Sequence, residues 1–376
     1  MAETPAQTIA KHTTKTIDYA AVMAEWSVPA VEAEQLDRLR AAGLGRHPLL
    51  ERGFFIGQYD LARFLDAVEA KARPVIVLSK SPDDVFSFNE FLLFDFARAV
   101  QAATSCEVVV FIRDDLKVLR RECPLEKVKE ITRNCFKDLL AVGFDEQRTL
   151  ITSDYAAWST IYPTFTMLAK HIAFDAVQPA FGFDTSSNIG AISSPSVLAA
   201  PWFEQAYGGY LPDDAALLVL QSVVDVPFVK LVRSTAETLG YRMPSVLVHR
   251  NVPLLTGVAQ LGAATRQTSI LMSDTPVDVK KKVNSSFSGG RDTKEEEEKY
   301  GADVAVDVPF ALLGLVSPDA ELVRASGEQY GRGTMLSSQM KAQTVAAVSA
   351  VVAAFQQRKK PITNKTVEAY QKAHHL

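Results

Sequence analysis

Two unbroken runs of apolar residues, at positions 74–78 and 108–112, constrain the fold more than any other feature of the chain. Between them, apolar side chains recur at helical spacing over residues 91–100. A short continuous apolar run is typical of a strand buried on both faces, and an intervening helix indicates a parallel pair. A helical pattern at 125–142 and an apolar run at 149–152 continue the alternation. The sequence therefore predicts a doubly wound α/β domain.

The remaining patterns extend this domain and then give way to helices. Upstream, residues 32–42 and 58–71 have the periodicity of amphipathic helices. Downstream, strands are predicted at 215–220 and 245–248, with a helix at 226–239 between them. Beyond about residue 276 the patterns are helical, at 277–284, 322–327, 335–357 and 364–373. We therefore expect an α/β body followed by an all-helical C-terminal domain.

Composition excludes several classes of protein. The 376 residues are 47% hydrophobic and 22% charged, as in globular proteins, and no apolar run approaches the length of a membrane span. A net charge of -4 argues against a protein that coats duplex DNA. Three cysteines without CxxC spacing predict neither a disulfide framework nor a zinc site, and no other metal or cofactor is predicted. The N-terminal residues lack an apolar signal segment, so we expect a cytoplasmic protein.

The segment Phe287-Ser-Gly-Gly-Arg-Asp-Thr293 follows the predicted helix at 277–284. It resembles the FSGGRDT segment of eukaryotic-type tryptophanyl-tRNA synthetases. Residues 51–55 (ERGFF) and 170–174 (KHIAF) are also similar to that family, and the resemblance covers about residues 15–376. It implies a class I synthetase architecture that acts on tRNA as a homodimer. The implied parts are an N-terminal extension (1–55), a Rossmann-type catalytic-like domain (56–275) and a helical anticodon-binding-like domain (276–376).

The chain departs from that family at the positions of the two ATP-binding signatures. The slot of the first signature, HxGH, holds residues 87–90 (SFNE), without either histidine or the glycine. The slot of the second, KMSAS, holds residues 260–264 (QLGAA), without the lysine that binds the triphosphate. Losing that cation removes on the order of several kcal/mol of transition-state stabilisation. Ordinary ATP-dependent activation of an amino acid is therefore not expected.

The positions that match the family's amino-acid pocket also differ. The polar residues that hold tryptophan in the family are replaced by Leu78, Phe111, Leu116 and Asp225. Carboxylates are expected around the mouth of the site, at Asp83, Asp84, Glu90 and Asp225. If they converge, they favour a cationic group such as an arginine side chain, beside an apolar subsite. The alternative is that these acids are merely exposed on loops and helix ends.

Two functions fit a synthetase-like chain without the ATP signatures. One is an aminoacyl-tRNA-dependent acyl transferase, because an aminoacyl ester is already activated. Cyclodipeptide synthases, which this chain resembles loosely at residues 77–82, transfer such esters to a serine after the first strand. Ser79 is then the first choice of nucleophile and Ser81 the second, although Ser81 could instead cap the next helix. The other function is that of an inactive pseudo-synthetase that binds tRNA or a protein partner.

A serine nucleophile needs a proton acceptor, and RNA binding needs cations. His171, Asp175 and Gln178 are spaced i, i+4, i+7, which predicts one helix face beside the aminoacyl pocket. His171 also matches the family's lysine–histidine pair, so a structural role is the alternative. Basic residues that are candidates for tRNA contact are Lys281, Arg291, Arg358, Lys359 and Lys360. The net acidity of the chain implies a small, salt-sensitive patch.

Overall fold

The computed structural model describes residues 3–374 except 84, 121, 212–213 and 258–263. Within that part the strands form one six-stranded sheet in the order β1-β6-β5-β2-β3-β4. Their bounds are β1 Phe55–Tyr59, β2 Pro74–Lys80, β3 Glu107–Ile112, β4 Thr149–Ser153, β5 Ala216–Ser222 and β6 Ser245–His249. Neighbouring strands are parallel except β1, which runs antiparallel to β6. The predicted α/β class is confirmed, and the carboxyl ends of five strands share one edge.

Helices cover both faces of the sheet and make up the C-terminal region. In chain order they are α1 Pro5–Lys11, α2 Tyr19–Glu25, α3 Ala33–Leu39, α4 Pro48–Glu51, α5 Leu61–Glu69, α6 Phe88–Thr104, α7 Asp114–Leu119, α8 Leu125–Val142, α9 Trp158–His171, α10 Phe174–Phe181, α11 Ile189–Ala199, α12 Val226–Leu239, α13 Pro276–Ser285, α14 Lys294–Tyr300, α15 Val308–Val316, α16 Ala320–Gly331, α17 Ser337–Lys359 and α18 Asn364–Ala373. Among the described residues, none of these helices has the length and apolarity needed to cross a bilayer.

The sheet separates two apolar cores, because successive side chains of a strand point to opposite faces. Ile76 and Leu78 of β2 belong to the core that contains α6 and α8. Val75 and Val77 belong to the core on the other face, which contains Phe111 and parts of α9 and α12. Both faces of the central strands are therefore buried, which is why their sequences read as continuous apolar runs.

The first strand corrects one sequence prediction. Residues 58–71 were expected to be helical, but Gln58 lies in β1 and α5 begins only at Leu61. The strand is short and contains Gly57, so it has little of the alternation that identifies strands. A Cβ at Gly57 would lie 2.5 Å from Val28 Cγ1, so glycine is required by the close packing of the N-terminal segment.

The C-terminal helices are joined to the sheet by buried hydrogen bonds. Tyr370 of α18 donates to the carbonyl of Thr149 (2.7 Å) and accepts from the amide of Ile151 (2.9 Å), which fixes α18 on β4. The FSGGRDT segment lies beside α15 and α16, where Asp307 accepts from the Gly289 amide at 2.9 Å. A Cβ at Gly289 would meet the Asp303 carbonyl oxygen at 2.0 Å, which explains this glycine of the motif.

Candidate functional site

A cavity of about 650 Å³ opens at the carboxyl ends of β2, β5 and β6, where ligands bind in open parallel sheets. The polar residues that line it are Ser79, Ser81, Asp83, Ser87, Asn89, Glu90, Gln221, Ser222, Asp225, His249 and Asn251. They come from the end of β2, the start of α6 and the ends of β5 and β6. The cavity therefore lies at the ends of the parallel strands.

Ser79 and Ser81 both line this cavity and are exposed. No side chain in the described part of the chain hydrogen-bonds the Ser79 hydroxyl. The alternative role of Ser81 as a helix cap is wrong, because the cap of α6 is Ser87, whose hydroxyl accepts from the Glu90 amide. Both serines therefore remain accessible hydroxyl groups in the cavity.

The predicted face of His171, Asp175 and Gln178 does not exist. Helix α9 ends at His171, the next residues have extended backbone, and α10 begins at Phe174. The break removes the helical register on which the i, i+4, i+7 spacing depends. All three side chains are exposed, and none of them is among the residues described as lining the cavity of Ser79.

Three of the predicted carboxylates do converge. Asp83, Glu90 and Asp225 line the same cavity, so the alternative of unrelated surface acids is wrong for them, whereas Asp84 lies outside the described residues. Burial raises the pKa of the Asp225 carboxyl to about 6, although a backbone hydrogen bond at Ser222 opposes the shift. No ion pair to Asp225 is found among the described residues. Asp225 is therefore the acid of this cavity whose charge is least compensated.

Cations near the mouth of the cavity are already engaged by the other acids. Lys80, which is fully buried, lies 3.2 Å from a Glu90 carboxylate oxygen and donates to the Ser81 carbonyl at 2.6 Å. Burial alone would lower the pKa of Lys80, but the Glu90 carboxylate raises it overall. Lys117 lies 2.5 Å from the Asp83 carboxylate. The two lysines nearest the cavity are therefore already paired with two of its carboxylates.

The first turn of α6 lies where the family resemblance puts the first ATP signature. The Phe88 amide donates to the Ile270 carbonyl at 2.8 Å, and the Glu90 amide donates to Ser87 Oγ at 3.2 Å. The Glu90 carboxylate also lies in this first turn, where the helix dipole favours an anion. These two amides are therefore not available to hold the oxyanion of an ester, because both have acceptors within the protein.

The apolar subsite expected from Leu78, Phe111 and Leu116 is not formed. Leu78 and Phe111 belong to the cores on opposite faces of the sheet, because Phe111 is in register with Ser79 rather than with Leu78. Leu116 is buried in α7. Of the three, only Leu78 is among the described residues that line the cavity.

Sequence reasoning missed the residues that end β5 and β6. His249 is buried, stacks on Phe54 with ring centroids 5.2 Å apart, and shares a 2.7 Å hydrogen bond through Nδ1 with the Arg250 carbonyl. Burial lowers the pKa of His249 to about 4, so the ring is neutral at neutral pH. Ser222 donates to Asn251 Oδ1 at 2.7 Å. Their positions at the ends of predicted strands were the available signal.

A second cavity, of about 560 Å³, adjoins the first at Asp225. Its lining includes Phe181, Phe183 and Phe228 together with Arg120 and Asn188. The rings of Phe181 and Phe183 are stacked, with centroids 5.5 Å apart. Asp225 therefore borders both cavities, and the second of them offers aromatic surface.

The basic residues expected to contact tRNA do not form one patch. Arg291 lies near the first residue of α17, because a Cβ at the adjacent Gly290 would touch Ser337. Arg358 and Lys359 lie at the other end of this helix, and 23 residues rise roughly 34 Å.

Intramolecular contacts also engage several of these cations. Arg291 donates to the Gly301 carbonyl (2.9 Å), Arg358 donates to that of Ala141 (2.8 Å), and Lys359 pairs with Asp138. Lys281 and Lys360 are exposed.

The arrangement of a mostly parallel sheet with a strand-end cavity and a helical C-terminal region is that of a class I aminoacyl-tRNA synthetase. A solved structure described as a tryptophanyl-tRNA synthetase homolog from Entamoeba histolytica matches with a TM-score of 0.94, 35% identity and 99% coverage of both chains. The Plasmodium falciparum tryptophanyl-tRNA synthetase matches with a TM-score of 0.85 and 26% identity over 94% of this chain and 95% of that one.

Curated relatives agree with the structural neighbours. The cytoplasmic tryptophan–tRNA ligase of Oryctolagus cuniculus is 31% identical over 372 residues, which are 96% of this chain and 78% of the relative. The human cytoplasmic enzyme is 30% identical over 96% of this chain and 79% of its own length. No family model matches. The chain belongs to the tryptophanyl-tRNA synthetase family.

Proposed function

We propose that this chain is a tRNA-binding member of the tryptophanyl-tRNA synthetase family that does not activate amino acids with ATP. The observation that carries the proposal is the pairing of Lys80 with Glu90 at the start of α6. A polyphosphate bound at this helix end would have to displace a carboxylate that already occupies it. It would also have to separate a buried lysine from its partner, which costs about 3–5 kcal/mol in comparable pairs.

The charge of the cavity supports the same proposal. Asp83, Glu90 and Asp225 line it, no lysine or arginine is among its described lining residues, and the nearby Lys80 and Lys117 are held by carboxylates. An ATP-binding site needs the opposite balance, because cations must offset the charge that develops on the leaving pyrophosphate. The slot of the second signature adds no cation at Ala264, and its other positions, 260–263, lie outside the described residues.

Binding of tRNA is proposed from family membership and from the helical C-terminal region. Lys360 and Arg358 are exposed at the end of α17, and Lys281 is exposed on α13, which packs against α17. Phosphate contacts by such residues provide affinity without sequence specificity and make binding weaker at higher salt. A homodimer, the cytoplasmic location and the domain division at residues 55 and 275 are parts of the same proposal.

The test measures activation and binding separately. Tryptophan-dependent exchange of pyrophosphate into ATP should be absent, while total tRNA should bind the protein in a salt-dependent filter assay. Arg358→Glu with Lys360→Glu should weaken tRNA binding and flatten the salt dependence. Lys71→Glu, an exposed lysine at the end of α5, is the matched control. Exchange at the rate of a working synthetase would refute the first half of the proposal, and unchanged binding by the double variant would refute the assigned surface.

A second candidate is acyl transfer from aminoacyl-tRNA, because the exposed Ser79 shares its cavity with Asp225, a carboxyl whose pKa is raised to about 6. Ser79 Oγ would attack the ester carbonyl, forming a new ester as the bond to the terminal ribose breaks. The serine proton would pass through Asp225 to the released ribose hydroxyl. Attack by the amino group of a second aminoacyl ester would then form a peptide bond, as in cyclodipeptide synthesis.

This candidate has its own test. Intact-protein mass spectrometry after incubation with charged tRNAs should reveal an aminoacyl adduct that Ser79→Ala abolishes and Ser81→Ala retains. Arginyl-tRNA is the first substrate to try, because Asp225, which has no ion pair among the described residues, favours a cationic group. If no charged tRNA yields an adduct or a dipeptide, acyl transfer is refuted and the tRNA-binding proposal stands alone.

A further inference from the structure

The geometry points to a separate binding site for a small anionic ligand, a phosphate or carboxylate with an apolar group, in the cavity between the α/β body and the C-terminal helices. This cavity has a volume of about 480 Å³, within the range of small-molecule sites. Two arginines, Arg52 and Arg250, line it. It contains no residue of the proposed acyl-transfer step, so the inference does not depend on the proposed function.

Both arginines line this one cavity, and no acid is among the residues described as lining it. Arg250 follows β6, and its Nη2 atom reaches the neighbour of Arg52, because a Cβ built at Gly53 would lie 4.0 Å from it. The Arg250 guanidinium also lies over the ring of Tyr19, 5.4 Å from its centroid. Among the residues that the structure describes, neither arginine has an ion pair. Two cations that line one cavity without a carboxylate between them make it attractive to an anion.

Part of the Arg52 guanidinium is buried without a hydrogen-bond partner. Its Nε and Nη2 atoms are shielded from solvent and have no acceptor within the described part of the chain. Buried guanidinium N–H groups are almost always hydrogen-bonded, because leaving them unsatisfied is costly. A phosphate or carboxylate oxygen is the acceptor that a guanidinium binds best. The unsatisfied N–H groups therefore indicate the head group of a ligand.

The acids that could have balanced Arg52 and Arg250 are engaged elsewhere. Glu51 pairs with Arg40 at 2.9 Å, and Asp303 pairs with Lys15 at 3.3 Å. Asp307 accepts hydrogen bonds from the FSGGRDT segment. The positive charge of the cavity is therefore uncompensated by its surroundings.

The rest of the lining specifies the other end of the ligand. Apolar surface comes from Phe54 and Ile17 in the α/β body and from Phe310, Leu315 and Val323 in the C-terminal helices. Gly314 of α15 leaves room there, because a Cβ at this position would meet only Val323 Cγ1, at 4.0 Å. A ligand with an anionic head and an aromatic or aliphatic body would contact the α/β body and α15 together.

The test uses the full chain and three probes: phenyl phosphate, benzoate and inorganic phosphate. Phenyl phosphate or benzoate should raise the melting temperature and give a saturable isotherm, and the stronger of the two identifies the head group. Inorganic phosphate should bind more weakly, because it has no apolar body. Arg250→Ala should weaken binding by at least about tenfold, since a charged hydrogen bond is lost.

Control variants separate the site from general charge and stability. Gly314→Leu should block the apolar end without touching either arginine, whereas Gly314→Ala should leave binding nearly unchanged. Arg46→Ala removes an exposed positive charge outside the cavity and should have no effect. Absence of binding by both organic probes would overturn the inference, and so would binding that Arg250→Ala and Gly314→Leu leave unchanged. Gly314→Leu also keeps the test decisive if Arg250→Ala fails to fold.

Discussion

Two carboxylates, the buried Asp307 and the half-buried Asp225, differ in how many hydrogen-bond and ion-pair partners they have, and the difference distinguishes a structural carboxylate from one available to a ligand. Asp307 accepts from four donors, Ser288 Oγ (3.0 Å), the Gly289 amide (2.9 Å), Tyr330 Oη (2.9 Å) and the Phe310 amide (2.7 Å). Asp225 has a backbone hydrogen bond at Ser222 and no charged partner among the described residues. The first carboxylate stabilises the fold, whereas the second retains an uncompensated charge that a ligand could use.

The largest expected effect is on stability, from Asp307→Asn. One oxygen of Asp307 accepts from Ser288, Gly289 and Tyr330, so an amide NH₂ there would face the N–H donor of Gly289. We expect a loss of about 3 kcal/mol in the free energy of unfolding, measured by urea denaturation.

The matched control for Asp307 is Asp303→Asn on the same segment. Asp303 forms an ion pair with Lys15, whose side chain is 80% exposed, and accepts from the Ala305 amide at 3.3 Å, which an asparagine oxygen can also do. Its replacement should therefore cost less than about 1 kcal/mol. Equal losses in the two variants would contradict the structural role assigned to Asp307.

The next largest effect is expected for Lys80, because this buried residue of β2 pairs with Glu90, which lines the candidate site. Lys80→Met should cost about 3 kcal/mol, since it leaves Glu90 without its partner. The double variant Lys80→Met with Glu90→Gln should recover part of that loss, because no unpaired charge remains. If Lys80→Met alone is as stable as the parent protein, the pair does not compensate Glu90, and the electrostatic argument against ATP binding fails.

Asp225→Asn tests the other side of the comparison and should stabilise the protein at neutral pH. The pKa of Asp225 is raised from 3.8 to about 6, so the folded state binds this proton more tightly than the unfolded chain does. The protonated carboxyl therefore favours folding at low pH, and stability falls as pH rises from about 4 to 6. Above that window ionisation costs about 2–3 kcal/mol, which the amide avoids.

The measurement for Asp225 is the free energy of unfolding at pH 4 and at pH 7.5. The free energy of unfolding of Asp225→Asn should be higher than that of the parent protein at pH 7.5 and equal to it at pH 4. Asp292→Asn, at an exposed position, should show no such pH dependence. A destabilised Asp225→Asn at pH 7.5 would mean that the ionised carboxylate has a structural partner.

The helices that were predicted well have clear ends in the sequence. The patterns at 125–142 and 226–239 match α8 and α12, each of which ends before a glycine with positive φ. Helices α9, α10 and α11 were not delimited, because each contains an internal proline, Pro163, Pro179 or Pro195. Proline normally ends a helix, so the local signal contradicts a structure that tertiary packing stabilises.

The candidate site was predictable in position but not in detail. Three of the four acids proposed for the mouth of the site line the cavity. The pairing of Lys80 with Glu90 could not be predicted, because it depends on where β2 ends relative to α6. The break after His171 contains neither glycine nor proline, so no local sequence signal predicts it. Contacts between distant segments therefore account for most of what the sequence left open.

The smallest expected effect comes from removing one donor of Asp307 and leaving the carboxylate in place. Tyr330→Phe deletes a hydroxyl that lies 2.9 Å from Asp307 and 2.8 Å from Ser337 Oγ, but the other donors to Asp307 remain. Since one hydrogen bond contributes about 1 kcal/mol net, the free energy of unfolding should fall by about that amount. Tyr300→Phe, which removes the hydroxyl of a tyrosine that is 59% exposed, should change it by less than about 0.5 kcal/mol. A loss for Tyr330→Phe as large as that for Asp307→Asn would contradict independent hydrogen bonds. It would mean that the donors to Asp307 stabilise the fold as one cooperative network.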